Sequence, residues 1–363
     1  MPKTNIEYWL ALKFVPRLAV HKKILLVKQH GLAQLFESPT LLQQNNLTEK
    51  QYRAFERPDW LKVVDIIANS SSHQMNIVGF DDNDYPKLLK EIYDPPLVLF
   101  TQGNNQLLNV TQLAIVGSRS ATLSGRDIAN NIAYQLSEHS IVVTSGLALG
   151  IDAAAHRGTL KSAGNTIAVV ATGLDQVYPS RHKQLREDIL GAGGLLVSEF
   201  IPGTLPRAGH FPKRNRIISG LCQGVLVVEA EIRSGSLITA RCALEQGRDV
   251  YAVPGSVNNP FAKGCHWLIK QGAKLVEDAA DIVEEFAIST IESKPIIVQE
   301  KSSQQDLFND PFLASVEYEV TPIDIVVSRS KLPIEEVLNR LTILELKGHV
   351  VAVPGGYIRL NRG

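Results

Sequence analysis

The chain has 363 residues, enough for two or three domains, and its 44% apolar and 20% charged residues are those of an ordinary globular protein. Lysine plus arginine balance aspartate plus glutamate at 37 each, which excludes a globally basic nucleic-acid binder and leaves any anion-binding role to local clustering. Three scattered cysteines, Cys222, Cys242 and Cys265, fit no C-x-x-C pattern, so they read as reduced thiols with neither a disulfide framework nor a metal site.

The start, "MPKTNIEYWLALKFVPRL", has scattered charges and lacks a signal-peptide profile. No apolar run approaches the roughly 18 residues that would span a membrane. A soluble, cytoplasmic protein without membrane insertion is expected. Residues 1–75 read as helical, with apolar residues three to four apart in "EYWLALKFV", "HKKILLVKQHGLAQLF" and "RPDWLKVVDIIANS". Short strand-like pieces follow in "NIVGFDDNDYPKLLKEIYDPPLVLFTQGN", punctuated by proline and Asp/Asn turns.

From residue 113 apolar, β-branched runs recur: "LAIVG", "IVVTSG", "TIAVVA", "GLLVSE", "GVLVVEA", "DVYAV" and "AKLVE". Helical segments alternate with them, among them "GRDIANNIAYQLSEH" and "SLITARCALEQG". Strands that are apolar throughout and alternate with helices predict a parallel sheet covered on both faces. The expected fold class is therefore α/β, a Rossmann-like doubly wound and mostly parallel sheet over 76–287. A polar linker is expected over 288–311. Over 312–363 a helix, a turn, a helix and two strands joined at "PGG" predict a winged helix.

The turn after the first of the seven runs reads "GSRSATLSG". A dinucleotide fingerprint needs G-x-G-x-x-G, but Gly117 is followed by Ser118 and Arg119, and the next glycine is Gly125. The next run also lacks the terminal acid that takes a ribose hydroxyl. A phosphate is still served by a helix N-terminus, the Ser118 hydroxyl and the planar Arg119 fork. The following turn, "TSGLALGID", is expected to bring Ser145, Gly146 and Gly150 to the same crevice, so that two adjacent units form a two-sided anion pocket. Asp152 reads as an N-cap or as a pocket residue, and His156 as its hydrogen-bonded helix neighbour or as an acid–base partner. No nucleophile accompanies them, so no catalytic group is assigned.

Between Glu199 and Glu229 there is no acid, but there are Arg207, His210, Phe211, Lys213, Arg214 and Arg216. Such a strip suits a nucleic-acid backbone, with Phe211 either stacking on a base or anchoring a solvated loop. Arg181, Lys183 and Arg186 in "PSRHKQLRE" read similarly. In "IRSGSLITA", Ser234, Gly235, Ser236 and Thr239 either face the crevice or, for Ser236, cap the helix.

The motifs "AIVGSR", "SGLALGIDAAAHRGTL", "TIAVVATGLDQVYP", "FPKRNRIISGL", "VVEAEIRSGSLITARCALEQGRDVYAVPG" and "GCHWLIKQGA" occur in the order in which they occur in the DNA processing protein A family (DprA, also called Smf), and the chain resembles that family. The resemblance implies a non-enzymatic, cofactor-free binder of single-stranded DNA in bacteria. Such a protein protects incoming strands in natural transformation, loads the RecA recombinase and dimerises through the Rossmann-like domain. It implies DNA contacts at Gly117, Ser118 and Arg119 and at Lys183, with Phe211, Arg214, Asn215 and Arg216 as pocket wall. The family's N-terminal domain often resembles a sterile-alpha-motif (SAM-like) or helix-hairpin-helix unit with hairpin glycines. Here "FVPRLAVHKK" has none, which argues against backbone-amide contact to DNA there. The presumed recognition helix of the winged helix carries Glu335, Glu336 and Glu345 against Arg340 and Lys347, which points to a protein-contact or structural role. The rival reading is a nucleoside-monophosphate hydrolase of the lysine decarboxylase-like type. It needs glutamates directly after a P-G-G-x-G-T loop, whereas "SGSLITARCALEQG" has no acid before Glu245. A third is an adaptor with a vestigial pocket.

Overall fold

The computed structural model describes residues 3–289, 311–346 and 348–360. The expected linker lies almost wholly outside them. The chain divides into two compact units, Met1–Ala121 with Ala129–Asp281, and Thr122–Ile128 with Ile282–Gly363.

Five helices open the first unit: α1 (Asn5–Phe14), α2 (Val20–His30), α3 (Gln34–Glu37), α4 (Glu49–Glu56) and α5 (Trp60–Ser72). Local chemistry sets the starts. Thr4 with Glu7 and Thr48 with Gln51 form reciprocal capping boxes on α1 and α4, and Asp59 caps α5. Trp9, Leu12, Leu35, Phe55 and Val63 are buried in a cluster that also takes Val98, Phe100, Ala168 and Leu196 from the sheet. The N-terminal helices therefore cover one sheet face. Each such large side chain contributes on the order of 1.5–3 kcal/mol.

Nine strands form that sheet: β1 (Asn76–Gly79), β2 (Val98–Gly103), β3 (Gln112–Val116), β4 (Val142–Ser145), β5 (Thr166–Val169), β6 (Leu195–Ser198), β7 (Gly224–Val227), β8 (Asp249–Ala252) and β9 (Lys274–Leu275). Their order is β1-β2-β6-β5-β4-β3-β7-β8-β9. The pairs from β6 to β9 are parallel, while β1 and β2 extend the β6 edge antiparallel. Successive β5 residues point to opposite faces, Ile167 and Val169 into one apolar cluster and Ala168 into the other. This two-sided burial explains why the strands are apolar throughout. Around them lie α6 (Lys87–Lys90), α8 (Ile151–Lys161), α9 (Lys183–Gly191), α10 (His210–Leu221), α11 (Gly235–Glu245) and α12 (Lys263–Lys270), while α7 (Leu123–Glu138) and α13 (Ala280–Ser289) each have residues in both units. The winding runs one way from β3 through β4 and β5 to β6 and resumes on the other side with β7. The switch point, where doubly wound sheets open a crevice, is therefore between β3 and β7.

In the second unit α14 (Ile323–Ser330), α15 (Ile334–Leu346) and the antiparallel pair β10 (Val350–Val353) and β11 (Gly356–Arg359) enclose Phe312, Val326, Val337, Leu341 and Val350. This is the expected winged-helix order. Glu336 pairs with Arg340 at 3.0 Å, and Glu345 accepts the Ala352 N–H at 3.2 Å. Among the described residues no helix is long and apolar enough to cross a membrane.

Candidate functional site

A cavity of about 440 Å³ opens at the switch point. One wall is the β3 turn from Gly117 to Ser120, and the other is the β7 turn with Glu231, Arg233 and Ser234 and the first turn of α11. α10 lines it with Phe211, Arg214 and Asn215, and the β4 turn adds only Ala148 and Asp152. The two-sided pocket expected from β3 and β4 is thus mainly a β3–β7 crevice, because the strand order places β7 beside β3. The helix N-terminus bordering it belongs to α11, whose cap is Ser234, with its hydroxyl oxygen accepting the Ser236 N–H at 3.3 Å. Ser236 itself lies inside the first turn and is not the cap. The β3 side of the lining ends at Ser120.

The two glycine turns lock together. Ser118 N–H donates to the Glu229 carbonyl at 2.7 Å, extending the β3–β7 pairing, and Ile151 N–H donates to the Ser118 carbonyl at 3.2 Å. A Cβ on Gly117 would sit 2.9 Å from that Glu229 oxygen. Gly150, at φ +76°, caps α8, and a Cβ there would land on the Ser118 carbonyl oxygen. The Ser118 hydroxyl oxygen accepts the Ser120 N–H at 3.1 Å, and its own proton stays available to a ligand. Arg119 is exposed and stacks over the Phe211 ring, 5.0 Å from its centroid. Phe211 in turn lies 5.6 Å from Tyr178. Beyond this stack is a smaller cavity of about 60 Å³ lined by Arg119, Leu149, Thr172, Tyr178, Pro179 and Phe211, among others. Arg119 and Phe211 border both cavities.

Several expected contacts do something else. Ser145 is buried and its hydroxyl donates to the Ile115 carbonyl at 2.6 Å, so it offers nothing to the crevice. Gly146 separates two buried charges: a Cβ there would be 2.6 Å from the Arg214 guanidinium and from Asp152 Oδ2. Asp152 is neither an N-cap nor bonded to His156. Its Oδ2 accepts the Gly146 and Ala148 N–H groups at 3.0 and 3.3 Å, holding the β4 turn. Burial pushes its carboxyl up, against the pull of Arg214 and those two N–H groups. His156 instead bonds Thr166 at 2.8 Å.

The basic strip is a helix, α10, and helical geometry scatters its charges. Arg214 points inward at 5% exposure, donating to the Gly146 and Val169 carbonyls. Burial lowers its pKa to about 10, with Asp152 opposing and the nearby Arg119 adding to the shift. It still carries its charge at neutral pH, at the cavity wall. Asn215 lines the cavity while donating to the Gly235 carbonyl at 3.2 Å. Arg216 is not pocket wall, because it turns away to Glu199 at 2.7 Å and Asp94 at 3.3 Å. Arg186 is likewise committed, to Gln102 and Glu187. Lys183 opens α9 and is exposed, but it lines neither cavity. Sequence reasoning missed Arg233, Glu231 and Tyr178. The first two flank a glycine turn like that of Arg119, which was the available signal.

The thiols of Cys222 and Cys265 are buried and pushed up to about 12 by desolvation, which makes them inert. Among the described residues no three His, Cys, Asp or Glu could jointly hold a metal ion.

A doubly wound sheet with an arginine-lined, aromatic-walled switch-point cavity, carried in one chain with a winged helix, defines an α/β protein suited to anionic ligands. Residues 76–287 match the family described as DNA recombination-mediator protein A, and residues 309–356 match its DprA winged helix domain; the chain belongs to this family. It is 41% identical to Protein Smf of Escherichia coli strain K12, over 99% of this chain and 96% of that one. The X-ray structure of DNA processing protein A from Streptococcus pneumoniae is similar at a TM-score of 0.69 and 38% identity, over 78% of this chain and 99% of that one. DNA processing protein A from Helicobacter pylori, whose structure concerns its single-stranded DNA binding mode, is similar at 0.54 and 27% identity, over 60% and 97%.

Proposed function

We propose that the chain binds single-stranded DNA at the switch-point cavity without transforming it, shields the strand in the cytoplasm, and passes it to a RecA-type recombinase in natural transformation. A homodimer formed through the sheet unit is the acting species. One observation carries the reading: Arg119 lies over Phe211 at the mouth of both cavities and makes no ion pair among the described residues. A cation held on an aromatic face meets a phosphate while leaving ring surface for an unpaired base. Ser118 and the α11 N-terminus add donors, and Arg214 and Arg233 add charge. The family membership and the Helicobacter pylori relative support the same reading.

Titration against single- and double-stranded oligonucleotides at several salt concentrations tests it. A single-strand preference is expected, with log K falling as log salt rises. Arg119→Ala is expected to weaken binding roughly 10-fold or more, with a melting temperature like that of the native chain. Lys183→Ala has a smaller effect, since Lys183 lies outside the cavities. Equal affinity for both DNA forms, or indifference to Arg119→Ala, sinks the reading. The handover is read from RecA filament assembly on strands coated with single-strand-binding protein, which the chain accelerates. The hydrolase alternative has Glu231 before the turn and Asp152 tied to two N–H groups, but no carboxylate on the first ten residues of α11. Release of free base from nucleoside monophosphates is the outcome that favours it.

A further inference from the structure

We propose that a single strand leaving the switch-point cavity runs past Lys213 onto the outer face of α2 and stacks a base on Tyr93, giving the N-terminal helices a side-chain DNA contact. The inference rests on the single-strand reading above and extends its track.

In a chain of zero formal charge, residues 8–36 hold Lys13, Arg17, Lys22, Lys23, Lys28, His21 and His30 and no acid. Helical spacing sorts them. Lys23 and Leu26 face inward on α2, which leaves His21, Lys22, Leu25 and Lys28 exposed, with Arg17 on the preceding turn. Arg17, Lys22 and Lys28 make no ion pair among the described residues. Against this face stands Tyr93, 81% exposed, with its ring 5.5 Å from that of His21. A tyrosine so little buried contributes almost nothing to the core. Free cations beside an exposed aromatic ring are what a single-strand track uses, the cations following the backbone and the ring taking a base.

Three acids around Tyr93 and Lys13 are each held in an ion pair. Asp94 and Glu199 both pair with Arg216, and Glu91 pairs with Arg248 at 3.1 Å. The helices that carry this face pack beside α10. Lys13 Nζ donates to the Glu199 carbonyl at 2.8 Å, and Lys23 Nζ donates to the Lys13 carbonyl at 3.1 Å. Burial lowers the pKa of Lys13; Glu199 opposes this, while Arg216 and Lys213 lower it further, which sets the basic side of α10 beside the N-terminal helices. Lys213 is exposed, has no ion pair among the described residues, and follows Phe211 by two residues.

Fluorescence anisotropy with oligothymidylates of about 6 and about 20 nucleotides separates cavity from track, the short one matching a single-strand site of the smaller sizes known. The full chain carrying Arg17→Ala, Lys22→Ala and Lys28→Ala is expected to bind the long oligomer roughly 10-fold more weakly. Its log K–log salt slope should shrink by about 2, at ~0.7 for each phosphate no longer neutralised, with the short oligomer unaffected. Tyr93→Ala weakens the long oligomer alone, and photocrosslinking from 5-iododeoxyuridine in it labels the Tyr93 peptide of the native chain. Unchanged long-oligomer affinity in the triple variant overturns the track and leaves the cavity reading standing, as does equal weakening of both lengths. Arg119→Ala weakens both lengths, and a native chain that binds neither overturns both readings.

Discussion

His156 shows how a residue that invites a chemical role can be fixed by packing. It is fully buried on α8, with Nδ1 2.8 Å from the Thr166 hydroxyl oxygen. That hydroxyl already donates to the Val143 carbonyl at 2.6 Å, so it can only accept, and His156 must carry its proton on Nδ1. Nε2 is then a buried lone pair without a partner. A second proton would put an unpaired charge there, and desolvation holds the pKa down at about 3. The sign follows from linkage. Below the ordinary value of about 6.5 the unfolded chain takes a proton that the folded chain refuses, so this contribution to stability is present above pH 6.5 and is lost as pH falls toward 3. The expected loss from this group is about 3 kcal/mol by pH 4. Urea midpoints measured from pH 7 to 4 check it: His156→Gln should flatten the slope by close to one proton, and an unchanged slope would refute the assignment.

At the scale of elements, α10 decides which charges reach a ligand. Arg216 is one residue past Asn215 but on another side of the helix, holding Asp94 and Glu199. Arg216→Gln is therefore expected to lower stability by about 1–3 kcal/mol, since it leaves the mostly buried Glu199 carboxylate unpaired, the exposed Asp94 adding little, while single-strand affinity stays within about two-fold. A denaturant melt beside a DNA titration reads both, and a large affinity loss with intact stability would return Arg216 to the pocket. The six strands from β3 to β8 were legible because burial on both faces demands unbroken apolar runs, whereas β9 is a two-residue edge strand with Leu275 exposed. α10 was not, because Pro212 and three cations in "HFPKRNR" obscure the inward positions of Ile217, Ile218 and Leu221. The Gly117–Arg119 turn was legible from its composition. Its true opposite wall was not, since β7 reaches β3 only through strand order, which no local pattern encodes. The burial of Arg214 was hidden for a third reason, because a buried guanidinium is stable only with the carbonyls of Gly146 and Val169 already in place.

For the molecule as a whole, charge balance sets how binding responds to salt. With 37 basic and 37 acidic residues the chain has no net field to steer a polyanion, and several of its arginines outside the cavity are paired, among them Arg186, Arg216 and Arg248. Counterion release for a strand in the cavity then comes from the exposed, unpaired groups there, the buried Arg214 adding charge but no direct phosphate contact. Arg119 and Arg233 at the cavity, with Lys213 beside it, give about 3 phosphate contacts, or a log K–log salt slope near −2 for a short single strand. Affinity for that strand should thus fall only about 20-fold between 50 and 200 mM salt, and the part that survives comes from stacking on Phe211 and Tyr178. Isotherms over that range measure the slope directly. A value steeper than about −5 would mean that phosphate neutralisation is spread over a surface far larger than the switch-point cavity.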